Sequence, residues 1–298
     1  MSAFSIVESF RRSLAEDEDR PEPIAAIFAL SDMIGQSKAA TTSELMESVK
    51  QASEELKASL ENPVPATAGL ELFMRFVTTK NWAGGSLLDT ALEFAHNTVP
   101  HCRERITHLL LPFITDESAI LAAVQTHGKR VRVYVTESRP TGQGLRTYER
   151  LRAEGIPCTV ILDTAVAYVV DRIDMCLVGA EAVAESGGIF NAVGSYQLSI
   201  IAKAAKKPVF ALAESFKFLR LFPLSQYDVP HATRRIPVPS ADEDVGVPEQ
   251  GRMTPAMEAR NPLIDYTLPE LITFIVSDVG ILTPSGVSDA LLAVYGGN

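Results

Sequence analysis

Five short apolar runs in the second half of the chain each end in an acid: Glu137, Asp163, Glu181, Glu214 and Asp278. A carboxylate can move protons, accept hydrogen bonds from sugar hydroxyls or pair with a cation. In an open α/β sheet, ligands bind in the crevice outside the carboxyl ends of the strands, so these acids are expected around one pocket. Each acid alone has a plainer reading, as a cap or orienting group for the helix that follows. Basic and amide groups accompany them. ESRPTGQGLR, residues 137–146, puts Arg139, Gln143 and Arg146 at a strand-to-helix junction, with Gly142 and Gly144 keeping the backbone accessible. A helix N-terminus flanked by arginines favours anions, because free N–H groups and the helix dipole both attract negative charge. The alternative is that Arg139 and Arg146 pair with Glu137 and Glu149 at the surface, a contact worth little. In VGAEAVAESGGIFNAVGSYQL, residues 178–198, an acid is followed by a glycine-rich turn and then by Asn191, Gly194 and Ser195 at the start of a fresh helix. These three could donate to a sugar hydroxyl or a phosphate, and Lys217 in AESFKF adds a charge at the next strand end.

Other chemistries lack their signatures. There is no P-loop, no G-x-G-x-x-G opening a helix after a strand, no H-E-x-x-H and no G-x-S-x-G elbow. The five histidines have no metal-ligand spacing with the cysteines, so no metal is expected. A net charge of −10 without a Lys/Arg-rich run argues against direct nucleic-acid binding. No run of about 18 apolar residues suggests a membrane span, and the N-terminus lacks the pattern of a signal peptide. Cys102, Cys158 and Cys176 are odd in number and far apart, which fits buried thiols in a reducing compartment, hence the cytoplasm.

The elements that must hold these residues fall into two textures. Residues 1–108 read as a helical domain. PEPIAAIFALSDMIGQ is apolar at helical spacing after a proline suited to a first turn. Leu45, Val49, Ala52, Leu56 and Leu60 form one stripe that Pro63 closes, and Thr41 with Glu44 has the spacing of a capping box. Residues 109–298 alternate short Val/Ile-rich runs with helical segments: HLLLPFIT, VRVYVTE, CTVILD, MCLVGAE, PVFALAE and ITFIVSD. Runs apolar on both faces suit strands buried between helix layers. The expected fold is therefore α/β: a helical N-terminal domain, then a Rossmann-like, mostly parallel sheet with helices on both faces. Residues 229–262, rich in proline and charge, read as a long loop.

The motifs resemble a family that joins methylthioribose-1-phosphate and ribose-1,5-bisphosphate isomerases to the alpha, beta and delta subunits of eukaryotic translation initiation factor 2B. ESRPTGQGLR is similar to the isomerases' E-T-R-P-x-x-Q-G-x-R, and GAEAVAESGGIFNAVGSYQ to their G-A-D-R-I-x-x-N-G-D-x-x-N-K-I-G-T. Within the family, VYVTESRP, AESFKFLRLFPLSQYDVP and SDVGILTPSGVSDALLAVY look like the alpha branch. With IAAIFALSDMI and GLELFMRFV, the resemblance covers nearly the whole chain.

The departures matter as much. The isomerases' T-H-C-N cysteine has no counterpart at Thr115, Asp116 and Glu117, and their G-A-D-R aspartate and arginine become Glu181 and Ala182. Their Asn-Lys pair becomes Asn191 and Ala192. Sugar isomerisation needs an acid and a base in register, and misplacing one by about a methylene can cost ~10²-fold. The resemblance thus implies a regulatory, non-catalytic subunit of the guanine-nucleotide exchange factor for initiation factor 2. It implies a homodimer bridging two assemblies of beta, gamma, delta and epsilon subunits, and a helical half that helps sense the phosphorylated alpha subunit of initiation factor 2. Thr41 and Glu44 fall in the part associated with that sensing, beside their capping-box reading. The retained pocket, with Arg139, Gln143, Arg146, Glu181, Asn191, Gly194, Ser195 and Lys217, would hold a sugar phosphate or nucleoside monophosphate without turning it over. The rivals are an active isomerase using Glu181 and Glu117, and a stand-alone metabolite-binding protein.

Overall fold

The computed structural model describes residues 4–17, 19–37, 41–79, 87–110, 131–228, 246 and 252–296. Five helices come first: α1 (Ile6–Glu16), α2 (Glu22–Gln36), α3 (Thr42–Ser59), α4 (Val64–Thr79) and α5 (Leu87–Leu110). α2 is the central one. Ile24, Ala25, Ala26, Ile27, Ala29 and Leu30 are all buried, and it packs against α1, α3, α4 and α5. Its small residues let neighbours come close, and Gly69 of α4 uses that closeness fully. A Cβ at Gly69 would overlap the backbone carbonyl of Pro23. Backbone cannot rotate away as a side chain can, so Gly69→Ala is expected to cost ~3 kcal/mol, the upper end for overpacking. Urea denaturation measures it; a loss under about 0.5 kcal/mol, the range of neutral surface changes, would contradict the close contact.

The stripe on α3 packs inward as its spacing requires. Val49, Ala52 and Leu56 are buried, and Leu45 and Leu60 pack against the same core. Thr41 accepts the Glu44 N–H at 3.2 Å as the N-cap.

The rest of the chain continues through β1 (Val133–Thr136), α6 (Gln143–Ala153), β2 (Cys158–Ile161), β3 (Cys176–Gly179), β4 (Ala182–Ala184), β5 (Ile189–Ala192) and α7 (Ser195–Ala204). β6 (Val209–Leu212), β7 (Phe218–Leu219), β8 (Ile264–Thr267), β9 (Phe274–Ser277), β10 (Gly280–Leu282) and α8 (Val287–Gly296) complete it. β1 and β2 form a parallel pair. β3, β6 and β9 are parallel neighbours, with β10 antiparallel on the β9 edge. A further sheet, in the order β7-β4-β5-β8, is mostly antiparallel.

The architecture is α/β, with N-terminal helices followed by mixed sheets and helices. Five of the six expected strand runs contain a strand. The sixth, 108–115, differs: 108–110 finish α5, and 111–115 lie outside the described residues. The mostly antiparallel sheet is an addition to the expected arrangement. β7 and β4 have only two and three residues, and β5 and β8 carry Asn191 and Asp265, so none makes an unbroken apolar run of the length that marks the other strands. The stretch at 178–198 holds three strands and a tight turn, where the sequence suggests one strand and a glycine-rich loop. Gly187, at φ +85°, makes that turn, and Gly188 leaves room for the Tyr266 ring.

The helices cover these sheets directly. Val64 and Ala68 of α4 share a core with Ala182, Phe190 and Tyr266, while Ile106 of α5 meets Phe210 and Val276. The turn between α3 and α4 is thereby brought to the end of β3.

Candidate functional site

Glu181, Glu214 and Asp278 each follow the carboxyl end of a parallel strand, β3, β6 and β9 respectively. Their surroundings give them different jobs. Asp278 accepts the Ser215 N–H at 2.6 Å and the Ser215 hydroxyl at 2.8 Å, fastening the turn after β6. Glu214 pairs with Lys217 at 2.7 Å and with Arg103 of α5 at 3.6 Å. Burial works against its charge, but Lys217 and Arg103 outweigh it and hold the carboxyl below the usual range.

Glu181 sits between the two halves of the chain. Asn62, from the α3–α4 turn, donates through Nδ2 to its Oε2 at 2.7 Å. Burial pushes the Glu181 carboxyl up, and Asn62 and the Lys217 charge pull it partly back. Its own charge acts on two more acids. Glu22, in the first turn of α2, is pushed up to about 7 by burial and then by Glu181, and its Oε2 is buried without a hydrogen-bond partner. Asp265, in β8, is pushed up to about 6 by burial. The N–H groups of Tyr196 and Gly194 lower it, and Glu181 raises it further.

Asp265 also organises the start of α7. Its Oδ2 accepts the Gly194 N–H at 2.7 Å and the Tyr196 N–H at 3.0 Å, while its Oδ1 is buried without a partner. Gly194, at φ +106°, adopts a backbone conformation that a side chain would strain. Asn191 lies opposite Asp265 in the β5–β8 register and donates to Ser195 Oγ at 2.9 Å. The Ser195 hydroxyl in turn donates to the Ala192 carbonyl at 2.8 Å. Two N–H groups at this helix end are therefore engaged by a carboxylate of the chain itself.

The structure thus gathers Glu181, Asn191, Gly194, Ser195 and Lys217, and adds Glu22, Asn62, Arg103 and Asp265. Arg139, Gln143 and Arg146 lie at the junction of β1 and α6. All three are exposed at the start of α6, and no hydrogen bond or ion pair shown among the described residues joins them to the Glu181 cluster. Arg139 Nε lies 3.2 Å from Glu137 Oε2, the surface pairing the sequence allows. Asp163 holds the turn instead, accepting the Ser138 and Arg139 N–H groups at 2.8 and 2.7 Å. Thr41 and Glu44 are exposed on α3. Thr115, Asp116 and Glu117 lie outside the described residues, as does most of 229–262.

The added residues carry weak sequence signals. Asn62 precedes a proline and reads as a helix breaker, Glu22 reads as a first-turn acid, and Arg103 is one charge on a charged helix. Asp265 offers the clearest signal of the four, an acid inside the run LIDYT, which the strand-end rule does not pick out. Among the described residues, no group of three or more His, Cys, Asp or Glu side chains is placed to hold a metal, and no helix is long and apolar enough to cross a membrane.

Comparison with known proteins adds to this geometry. The family model for the initiation factor 2 subunit family matches residues 16–284. The translation initiation factor eIF2B subunit alpha of Dictyostelium discoideum is 35% identical, over 97% of this chain and 96% of that protein. The protein of the same description from Caenorhabditis elegans is 32% identical, over 98% of each. A ribose 1,5-bisphosphate isomerase from Archaeoglobus fulgidus is 28% identical, over 71% of this chain and 62% of that protein. Among solved structures, the translation initiation factor eIF-2B of Pyrococcus horikoshii OT3 superposes with a TM-score of 0.69 at 22% identity, covering 94% of this chain and 97% of that one. A chain of the tetrameric eIF2B-beta2-delta2 complex from C. thermophilum gives 0.68 at 17% identity, covering 96% and 92%. The match to the family runs from the end of the first helix to just past the last strand, and on that ground the chain belongs to the initiation factor 2 subunit family.

Proposed function

We propose that the chain works in the cytoplasm as a regulatory, non-catalytic subunit of the guanine-nucleotide exchange factor for translation initiation factor 2. In this reading it pairs with itself and bridges two assemblies of beta, gamma, delta and epsilon subunits. Its helical half helps detect the phosphorylated alpha subunit of initiation factor 2. The observation that carries the proposal is similarity to two alpha subunits along 97–98% of the chain, through both the helical and the α/β parts. The test is a reconstituted exchange assay, together with pull-down of beta and delta subunits and light scattering of the chain alone. The expected outcome is a dimer that recruits both subunits and restores inhibition by the phosphorylated factor. A monomer that retrieves neither subunit refutes it. Thr41→Ser and Thr41→Val separate two roles, since Ser keeps the capping hydroxyl and Val loses about 1 kcal/mol of helix capping. A sensing role for the hydroxyl requires Val to weaken inhibition beyond what its stability loss produces.

The same reading gives the crevice a ligand that is held and not converted, a sugar phosphate or nucleoside monophosphate. Carboxylates at Glu181 and Asp265 suit sugar hydroxyls, and the cations of Lys217, Arg139 and Arg146 suit the phosphate.

One observation favours isomerase activity as a second reading. Glu22 and Asp265 titrate at about 7 and about 6, close to the range a general acid or base needs at neutral pH. Incubation with methylthioribose-1-phosphate and ribose-1,5-bisphosphate decides it. Turnover that Glu181→Gln abolishes would establish the isomerase, and its absence would leave the regulatory reading standing.

A further inference from the structure

β3, β6 and β9 are neighbours in one sheet, and the acid that follows each of them is met by a group from the helical half. Asn62 Nδ2 donates to Glu181 Oε2 at 2.7 Å, and Arg103 Nε lies 3.6 Å from Glu214 Oε1. Cys102, beside Arg103 on α5, is buried against Asp278. Burial, then the Asp278 charge and a hydrogen bond to it, push the thiol up. The helical half thus roofs the strand-end crevice, and a ligand entering it competes with groups already seated on these carboxylates. Arg103 and Cys102 are fixed within a long helix, whereas Asn62 lies in the turn between α3 and α4. Its amide is used at both ends. Oδ1 accepts the Val64 N–H at 3.1 Å, at the start of α4, while Nδ2 holds Glu181. Val64 itself is buried with Ala182, Phe190 and Tyr266. One side chain therefore joins the acid after β3 to the first turn of α4.

The surroundings of Glu181 are short of donors. Glu22 and Asp265 both feel its charge, and Glu22 Oε2 and Asp265 Oδ1 are buried without a hydrogen-bond partner. A buried acceptor left unpaired costs free energy, most of all on a carboxylate. Sugar hydroxyls are neutral donors and suit all three acids. A phosphate dianion brings acceptors and negative charge, and suits none of them. Exchanging the Asn62 amide for a ligand hydroxyl leaves Glu181 with a donor before and after, so the exchange is close to balanced. Withdrawing the amide with nothing in its place leaves a buried carboxylate short of a donor, and that is costly. The contact is therefore held firmly without a ligand and released readily by one that carries hydroxyls.

We propose that Asn62 is a latch on the strand-end crevice: a ligand hydroxyl displaces its amide from Glu181 and so releases the α3–α4 turn, by which the helical half registers that the crevice is filled. This rests on the reading of the crevice as a site for a held sugar phosphate or nucleoside monophosphate.

The test uses the full chain labelled with ¹⁵N at asparagine and AMP as the probe. Asn62→Ala or Asn62→Ser assigns the Asn62 side-chain NH₂ signal, and equilibrium dialysis measures the AMP held. The titration itself is read on the wild-type chain. AMP is expected to shift the Asn62 signal along the saturation curve that dialysis gives, while inorganic phosphate at the same concentration leaves it in place. Glu181→Ala without ligand is expected to move the same signal. Asn62→Ala is expected to hold AMP about tenfold more tightly, because its Glu181 lacks this donor until the ligand supplies one. The latch alone is overturned if AMP is held with the Asn62 signal unmoved, if inorganic phosphate shifts it equally, if Glu181→Ala leaves it in place, or if Asn62→Ala holds AMP no more tightly. AMP held by neither the wild type nor Asn62→Ala refutes the crevice reading, and the latch with it.

Discussion

Lys217→Ala is expected to lower the free energy of unfolding by about 3 kcal/mol at pH 7, the largest loss predicted for any residue of the site. Glu214 is 7% exposed and relies on Lys217 at 2.7 Å. Breaking a buried pair by removing one partner leaves an uncompensated charge and costs ~3–5 kcal/mol. The lower figure applies because Arg103 remains, at 3.6 Å. The pH dependence carries a sign. The folded Glu214 carboxyl lies below its ordinary value of 4.5, so its pairing stabilises the fold above that value. This contribution disappears as pH falls through the lowered value. Urea denaturation at pH 7 and at steps down into acid measures the change: the gap between Lys217→Ala and wild type should narrow as the pH falls. Replacing both partners together, Glu214→Leu with Lys217→Met, should cost less than Lys217→Ala alone, because no buried charge is left behind. A double variant that is the less stable of the two would contradict the assignment.

Glu22→Gln should do the opposite and stabilise the protein in alkali. The Glu22 carboxyl titrates at about 7 in the folded chain against an ordinary 4.5, so between those values the folded state holds a proton that the unfolded state has released. Stability therefore falls as pH rises through this window and levels off above about 7. The shift corresponds to a penalty on the order of 3 kcal/mol once both states are ionised. Glutamine has nearly the same shape without the charge, and it also relieves Glu181. The variant is expected to be more stable than wild type by on the order of 2 kcal/mol at pH 8.5, with the two curves converging below pH 4.5, where Glu22 is protonated in both states. Thermal melts at those two pH values suffice. A Glu22→Gln protein less stable than wild type at pH 8.5 would show that the carboxylate has a partner in solution that offsets its burial.

These two acids show how unevenly the site can be read from the chain. Glu214 and Glu181 stand at the ends of apolar runs, where the strand-end rule draws attention to them without any structure. Lys217 three residues on is visible in the same way. Glu22 and Asn62 are not, because their importance comes from the helical half settling on the sheets. Residues 119 positions apart meet when Asn62 reaches Glu181. Arg139, Gln143 and Arg146 show the converse. A convincing local pattern makes them visible in the sequence, while the β1–β2 pair they follow is a separate ladder from the β3–β6–β9 sheet.

What the sequence determined by itself is local and periodic. The α3 stripe, the Thr41 cap, the apolar strands closed by acids and the change of texture after the helices all follow from spacing along a few turns or a few residues. Tertiary structure alone decided the antiparallel sheet around Gly188 and Tyr266, the use of Asp265 to occupy the α7 N-terminus, and which carboxylates keep their charge. The physical reason is that burial and pairing set a carboxyl's energy, and both depend on groups that arrive from distant parts of the chain. A spacing rule sees residues that are neighbours in sequence; the site consists of those that become neighbours only when the helices close over the sheets.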